Sequence, residues 1–321
     1  MRLLVANTDH GWYQHLLGLA ARPSGLDEAN FWRPSGRAGF AALSFGEPLV
    51  FKLKKAHGHA VVGFGLFAAF RRLPVREAWI AFGEANGASS LDETERRIAK
   101  YLRLRAGAPV PRSHRIGCVL LAAPVLFPKN LWVRGPTNWS DNTVAGKGYD
   151  SQIGEGRRIW QDCLDHAAMQ DQAVELTFAG TSIAAEPTAR YGKTQIIRPR
   201  LGQSTFRYAL EQAYGRCAVT GEHSLPALDA AHIVPFCEGG RHVLENGLLL
   251  RADVHRLYDA GYVTVTPDYR FHVSDRLRKD FDNGKIYYAH ENQRIWTPTA
   301  PYPSPDRTAL DRHATTRFLD A

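Results

Sequence analysis

The chain has 321 residues, enough for two domains of ordinary size, and its 44% hydrophobic and 22% charged content is that of a globular protein that buries a core without covalent staples. Forty Lys and Arg against 32 Asp and Glu leave a formal charge of +8, which suits a polyanionic partner. Four cysteines (Cys118, Cys163, Cys217 and Cys237) with no CxxC pair exclude a disulfide scaffold and a four-Cys zinc site, and no apolar run reaches the roughly 18–20 residues needed to span a membrane.

Leu3-Leu4-Val5-Ala6 reads as a buried strand. Asn7, Thr8 and Asp9 follow as turn or N-cap residues, and Trp12 to Leu19 reads as a helix. The opening MRLLVANTDHGWYQHL holds no apolar core long enough for a secretory leader, so the expectation is a soluble, cytoplasmic protein. Phe31-Trp32 enters a Pro/Gly loop that contains Ser35. Leu49 to Lys54 and Ala60 to Phe67 read as two strands joined by the His57-Gly58-His59 turn, a hairpin. Helices are predicted over Pro74–Phe82 and Leu91–Arg103, the second with Ser90 and Glu93 in a capping-box pattern. Ile116 to Ala122 is a further strand. From Ala185 to Gln203, Pro and Gly recur among basic residues with weak periodicity, which reads as a linker. A helix over Thr205–Tyr214 opens the second domain.

The stretch Cys217 to Val265 carries the chemistry. Two β-type segments, Cys217–Thr220 and Leu228–His232, precede a Pro and Gly-Gly loop over Pro235–Gly240. Asn246 then introduces an apolar run that leads into a helix bearing His255 and Asp259. The last two are four apart and share one helix face, where an imidazole and a carboxylate ligate a divalent cation. Asp229, three residues before His232, is a third candidate ligand. Few protein ligands leave positions open for water and phosphate, as at Mg²⁺-type sites. Phosphodiester hydrolysis also needs a base near neutral pH. An imidazole with an ordinary pKa of about 6.5 supplies one, and His232 is the candidate. Arg241, Arg251 and Arg256 are candidate phosphate contacts, and His242 reads as a surface residue in a loop.

His232, Asn246 and His255, at gaps of 14 and 9, resemble the HNH (ββα-metal) endonucleases. AAHIVPF…GG…NGLLLRADVHRLYDAGYVTV is similar to the branch found in bacterial modification-dependent restriction enzymes. The resemblance covers about 206 to 273. It implies that His232 activates water, that Asn246 holds the loop or lies near the metal, and that His255 binds Mg²⁺ or Mn²⁺. Two features depart from the family. Cys217 is followed by Thr220 and not by a second Cys, so no structural zinc is expected. The position before the first His, often a metal ligand, is Ala231, which makes Asp229 and Asp259 the candidates. Tyr262–Val265 and Arg270–Val273 read as an extra hairpin, and the aromatic tail from Tyr287 to Phe318 as packing around the module.

LLVANTDHGW and FGEPLVFKLKKAHGHAVVGFGLF are similar to PUA-like folds of the EVE and ASCH group, small β-barrels that read modified bases or RNA. The resemblance implies a flipped base held in an aromatic pocket. The candidates are Trp12, Phe31, Trp32 and Trp139 as walls, with Asn7, Thr8 and Ser35 as polar contacts. Lys52, Lys54 and Lys55 are candidates for the flanking phosphates. The expectation is therefore an α+β protein. A PUA-like barrel with helices spans 1–165, a linker 166–203, and an HNH module with flanking helices and a hairpin 204–321. It would cut double-stranded DNA near a modified base, plausibly a substituted cytosine, and a homodimer would cut both strands. The alternatives are a catalytically silent reader and an HNH nuclease that acts on unmodified DNA.

Overall fold

The computed structural model describes residues 1–22, 25–36, 39–105, 107–140, 142–143, 145–170, 202–235 and 238–319. The chain divides into two compact units, Met1–Thr205 and Phe206–Ala321. Most of the linker expected over 166–203, and the weakly periodic stretch 185–203 within it, lies outside the described residues.

The first unit is built on one mixed sheet. Its strands are β1 (Arg2–Thr8), β2 (Glu28–Arg33), β3 (Pro48–Leu53), β4 (Val61–Pro74), β5 (Arg115–Leu126) and β6 (Gly146–Asp150). They lie in the order β2-β5-β4-β3-β1-β6. β1 runs parallel to β3 and antiparallel to β6, and the hairpin expected around His57–His59 is β3–β4. The expected barrel is not shown: the pairing runs open from β2 to β6, and among the described residues no strand pairing joins those two edges. β4 extends to Pro74, well beyond the expected Phe67, because β5 pairs along its whole second half. Phe31-Trp32, read as the entry to a loop, lies within the edge strand β2.

Helices cover both faces. On one, α1 (His10–Ala20) packs Trp12, Tyr13 and Leu16 on Leu49, Phe51 and Leu53. On the other, α4 (Gly154–Met169) packs Ile159, Trp160 and Cys163 on Leu3, Val5, Val50 and Phe64. β3 is therefore buried on both sides, which explains its unbroken apolar run. The caps follow local chemistry. The Asp9 carboxylate accepts from Trp12 N at 3.0 Å, and the Ser90 hydroxyl accepts from Glu93 N at 3.2 Å at the start of α3 (Leu91–Tyr101). α2 (Val75–Phe82) completes this unit. Among the described residues no helix is long and apolar enough to cross a membrane.

In the second unit α5 (Gln203–Tyr214) is followed by β7 (Leu228–His232), β8 (Gly247–Arg251) and α6 (Ala252–Asp259). β7 and β8 pair antiparallel, with Asp229 opposite Leu250 and His232 opposite Gly247. The hairpin is thus not Cys217–Thr220 with Leu228–His232. Cys217–Thr220 is a turn, and the apolar run after Asn246, read as leading into the helix, is itself the second strand. Leu248, Leu249 and Leu250 are all fully buried, so the run lacks the alternation that marks a half-exposed strand. The extra hairpin is β9 (Val263–Val265) with β10 (Phe271–Val273). α7 (Arg276–Phe281), α8 (Lys285–Tyr288) and α9 (Arg307–Thr316) complete the unit. In α9, His313 stacks on Tyr258 of α6 at 3.7 Å and 7°. Its Nε2 donates to the Tyr258 carbonyl at 3.2 Å, and its Nδ1 accepts from the Thr264 hydroxyl at 2.9 Å. The tail therefore fixes the helix that carries His255.

Candidate active site

Strand parity sets the first arrangement. Side chains alternate along β7, so Asp229 and Ala231 share one face while His232 lies on the other, at the strand's end. Asp229 is thus on the face that position 231 would use and meets α6 there. Its Oδ2 lies 3.5 Å from His255 Nδ1. Asp259, one turn beyond His255, places its Oδ2 3.3 Å from the opposite nitrogen, Nε2. The side chains of Asp229, His255 and Asp259 are 42%, 23% and 56% exposed, so the group opens to solvent on its carboxylate side.

The two carboxylates among the three expected metal ligands are brought to the third, the His255 imidazole, but to its two different edges. Among the described residues no three His, Cys, Asp or Glu side chains already form a cluster that would hold an ion. The residues do fit one as a pair. Two ligands of a six-coordinate cation, each at about 2.1 Å, stand about 3 Å apart, and the 3.5 Å between Asp229 Oδ2 and His255 Nδ1 needs only a small side-chain adjustment. A metal-bound imidazole characteristically donates its other N–H to a carboxylate, and Asp259 is placed to accept it.

His232 turns its ring away from Asp229 and packs it on Phe206, centroids 4.5 Å apart at 20°. His242 lies 4.9 Å from the same ring. His232 Nε2 is buried, and among the described residues it has no hydrogen-bond partner. Burial, and then the neighbouring His242 and His255, holds its pKa down at about 4. The imidazole is therefore neutral at pH 7, and His255 is near enough for its charge to be felt there.

Asn246 contributes through the backbone. Its Oδ1 accepts from Val234 N at 2.8 Å, and its Nδ2 donates to Val234 O at 2.9 Å and Arg241 O at 3.0 Å. Its own carbonyl accepts from Ile233 N at 3.0 Å. All of these bonds close the loop that follows His232, so of the two roles the resemblance offered, the geometry matches holding the loop. Gly240 lets the loop close: a Cβ there would meet Val234 O at 1.8 Å. Cys217 Sγ accepts from Thr220 N at 3.4 Å and Arg251 N at 3.2 Å, tying the turn to the start of α6.

The arginines separate into two kinds. Arg251 is held in a fork by Asp253, at 2.6 and 2.8 Å, and Asp253 also accepts from the Tyr287 hydroxyl, so Arg251 is structurally engaged. Arg241 and Arg256 are exposed. Sequence reasoning missed Phe206 and placed His242 on the surface. His242 is half-buried against His232, ten residues away in sequence, and is carried there by the Asn246 staple, which leaves no local signal.

In the first unit the expected base pocket does not assemble. Trp12 is 3% exposed, gives its Nε1–H to Asn30 O at 3.1 Å and is edge-packed on Phe31 and Phe51, so no base reaches its face. Phe31 in turn stacks on Phe51. Thr8 is buried and bonds Ala6 O, while Asn7 gives its amide to Thr143 O at 2.7 Å. Trp32 is half-buried with its N–H on Asn86 O. Ser35 is exposed. Lys52, a candidate for the flanking phosphates, is fully buried: Nζ donates to Leu53 O at 2.8 Å, meets His59 Nδ1 at 3.1 Å and lies 4.3 Å over the half-buried Trp139 ring. It does not reach a phosphate from there. Lys54 and Lys55 are exposed. An open cleft of this unit, about 610 Å³, is lined by other residues, among them His10, Tyr13, His57, Lys129 and Trp132. His10 and His57 stack there at 4.0 Å and 9°. Trp132 Nε1 donates to the Tyr13 hydroxyl, which donates to Phe127 O.

With this geometry in hand, residues 217–266 match the model of the HNH endonuclease family. Among curated proteins none matches the chain. Among solved structures, the chain is similar to the crystal structure of ASCH from Zymomonas mobilis, at 12% identity and a TM-score of 0.32, over 50% of this chain and 94% of that one. Two variants of the same protein are also similar. A tyrosine-to-phenylalanine variant matches at 13% identity and a TM-score of 0.31, over 50% of this chain and 96% of its own. A serine-to-alanine variant matches at 13% identity and a TM-score of 0.30, over 50% and 94%.

Proposed function

We propose that the second unit hydrolyses the phosphodiester backbone of double-stranded DNA with His232 as general base, and that the first unit directs it to DNA carrying a modified base. The observation that carries the first half is the neutral His232 imidazole, its Nε2 without a partner among the described residues and its pKa lowered in part by His255, in the same segment as the Asp229–His255 pair, a segment that matches HNH endonucleases.

Asp229 and His255 would hold a divalent cation, Mg²⁺ or Mn²⁺, which supplies positive charge to the phosphate oxygens and the leaving oxygen when bound. Asp259 accepts the second N–H of His255 and fixes the ring. His232 takes the proton from the attacking water. A group held near 4 is a weak base, but an approaching phosphate anion favours its protonated form and raises its pKa toward the working range. Asn246 keeps the loop after His232 closed during this change. Arg241 and Arg256, exposed on either side of the site's sequence, contact flanking phosphates. One such site cuts one strand, so a double-strand break requires two copies.

For the first unit, the lined cleft replaces the pocket expected from sequence. Trp132, Tyr13 and the stacked His10 and His57 rings offer aromatic surface, and Lys129 offers positive charge for a nucleotide's phosphate. The test is a nicking assay with Mg²⁺ or Mn²⁺ on matched plasmids carrying cytosine, 5-methylcytosine, 5-hydroxymethylcytosine, glucosylated cytosine or phosphorothioate linkages. The expected result is cutting of a modified plasmid alone, abolished in His232→Ala. Equal cutting of unmodified DNA removes the reader half of the proposal. Tight binding without cutting in either metal replaces the nuclease by a silent reader.

A further inference from the structure

Catalytic imidazoles are commonly aimed by a hydrogen bond that the nitrogen not touching substrate donates to a carboxylate or carbonyl oxygen. His232 has no such bond at its buried nitrogen: among the described residues nothing partners Nε2. Asp229, the acid nearest in sequence, serves His255 instead. A ring on a strand end with no hydrogen bond to aim it turns broadly about χ2, so something else must fix its plane.

Three rings meet at this point. Phe206 of α5 lies nearly parallel to His232 at 4.5 Å and 20°, and nearly parallel to His242 at 5.5 Å and 21°, and the two imidazoles are 4.9 Å apart at 40°. Each ring therefore rests on the other two. Phe206 is 1% exposed and cannot swing away without opening the core. It reaches His232 because the residue directly across the hairpin is Gly247: a Cβ there would stand 2.8 Å from Phe206 Cζ and 2.7 Å from Leu210 Cδ1. His242 is held from the other side, since Arg241 O just before it accepts from Val243 N and from Asn246 Nδ2, both at 3.0 Å.

We infer that Phe206 and His242 are positioning residues that set the ring plane of His232 by aromatic packing, in place of an orienting carboxylate. The inference rests on His232 being the base. It deepens that reading by naming what aims the imidazole, and it gives Gly247 a role: the missing side chain makes room for the ring beneath the base. The face contact restrains tilt without using a ring nitrogen, so among the described residues neither nitrogen of the imidazole is spent on a protein hydrogen bond.

The experiment measures kcat and KM for metal-supported plasmid cleavage by the full chain. The variants are His232→Ala, Phe206→Leu, Phe206→Tyr, His242→Ala and His242→Phe. A misaimed base slows the chemical step, so Phe206→Leu and His242→Ala should each lower kcat about tenfold or more with KM within about twofold. The planar replacements Phe206→Tyr and His242→Phe should restore kcat to within about threefold of wild type. His242 is half-buried in a loop, so the His242 pair carries the test even if Phe206→Leu fails to fold. Wild-type kcat in His242→Ala overturns the cradle. So does a His242→Phe variant as impaired as His242→Ala, because the imidazole and not its face would then be the active element. Full cleavage by His232→Ala overturns the base assignment itself, a different result from an inactive His232→Ala beside unimpaired cradle variants.

Discussion

Two histidines of the second unit share one electrostatic fate and differ in everything else. His232 at the end of β7 and His313 in α9 are both held at about 4, burial being the first cause for each. His313 spends both nitrogens on the fold, one on Thr264 and one on the Tyr258 carbonyl, and its face on the Tyr258 ring. Among the described residues His232 spends its face, on Phe206, and leaves its buried Nε2 without a partner. A depressed histidine pKa therefore does not by itself mark a working base. The hydrogen-bond inventory is the second difference between the two: His313 is bonded as a brace is, whereas His232 leaves a buried nitrogen without a partner among the described residues, at the cost in stability that an unsatisfied polar atom carries.

The largest effect breaks the pair apart by function. His232→Ala should lower the cleavage rate by about 10²–10⁴-fold, the usual worth of a general base, with hydrogen-exchange protection of the β7–β8 amides unchanged. His313→Ala should do the reverse. It strands the Thr264 hydroxyl and removes the ring stacked on Tyr258, while the Tyr258 carbonyl keeps its bond from Gly261 N at 3.1 Å; the loss should cost about 1–3 kcal/mol of stability, read as lost β7–β8 protection, while the folded fraction keeps its turnover. Lost activity in His313→Ala at full protection would mean that the inventory does not sort these residues. Next come the two carboxylates on His255. If Nδ1 faces the cation, Asp229→Asn should weaken metal activation about a hundredfold and Asp259→Asn only about tenfold, measured as the Mn²⁺ concentration for half-maximal cleavage. The opposite ranking would place the cation at Nε2 and restore the His255–Asp259 pairing. In the first unit, Trp132→Ala or His57→Ala should weaken binding of a modified duplex about tenfold without changing kcat, by fluorescence anisotropy and single-turnover cleavage.

What the sequence made legible follows the same division. The proposed nuclease site was legible because each candidate residue sits within a short, ordered stretch, and the i,i+4 spacing of His255 and Asp259 carries its geometry in the numbering. What failed there was the strand Gly247–Arg251, whose fully buried leucines lack alternation, and the partner of His232, since Phe206 and His242 come from a separate helix and a loop tip. In the first unit, aromatic residue type was a poor guide. Trp12 and Phe31 fill a sheet buried on both sides, and Lys52 sits within a strand that has no solvated face. The residues that line the open cleft come from α1, the β3–β4 turn and the segment after β5, so only the folded sheet brings them together. That no pairing among the described residues joins β2 to β6 was equally unreadable, because strand content does not encode closure.

The smallest effect is the sharpest test of the comparison, because it asks the two histidines the same question. With folded-state pKa values near 4 and an unfolded value of about 6.5, each group binds protons in the unfolded chain before it does so in the folded one. The stability they contribute is complete above about pH 6.5 and is lost as pH falls toward 4. Unfolding measured through β7–β8 protection at pH 7 and pH 5 should show this loss, and His232→Gln and His313→Gln should each flatten it. Bound DNA then distinguishes them. In a chelator, where no cutting occurs, a duplex brings phosphate to His232 and favours its charged form. The folded pKa rises, and His232's share of the pH slope shrinks. His313, sealed between Tyr258 and Thr264, feels no such change. DNA should therefore flatten the slope in wild type and in His313→Gln but leave it unaltered in His232→Gln. An equal response in all three would show that the phosphate does not come to His232, and the base would have to be sought elsewhere.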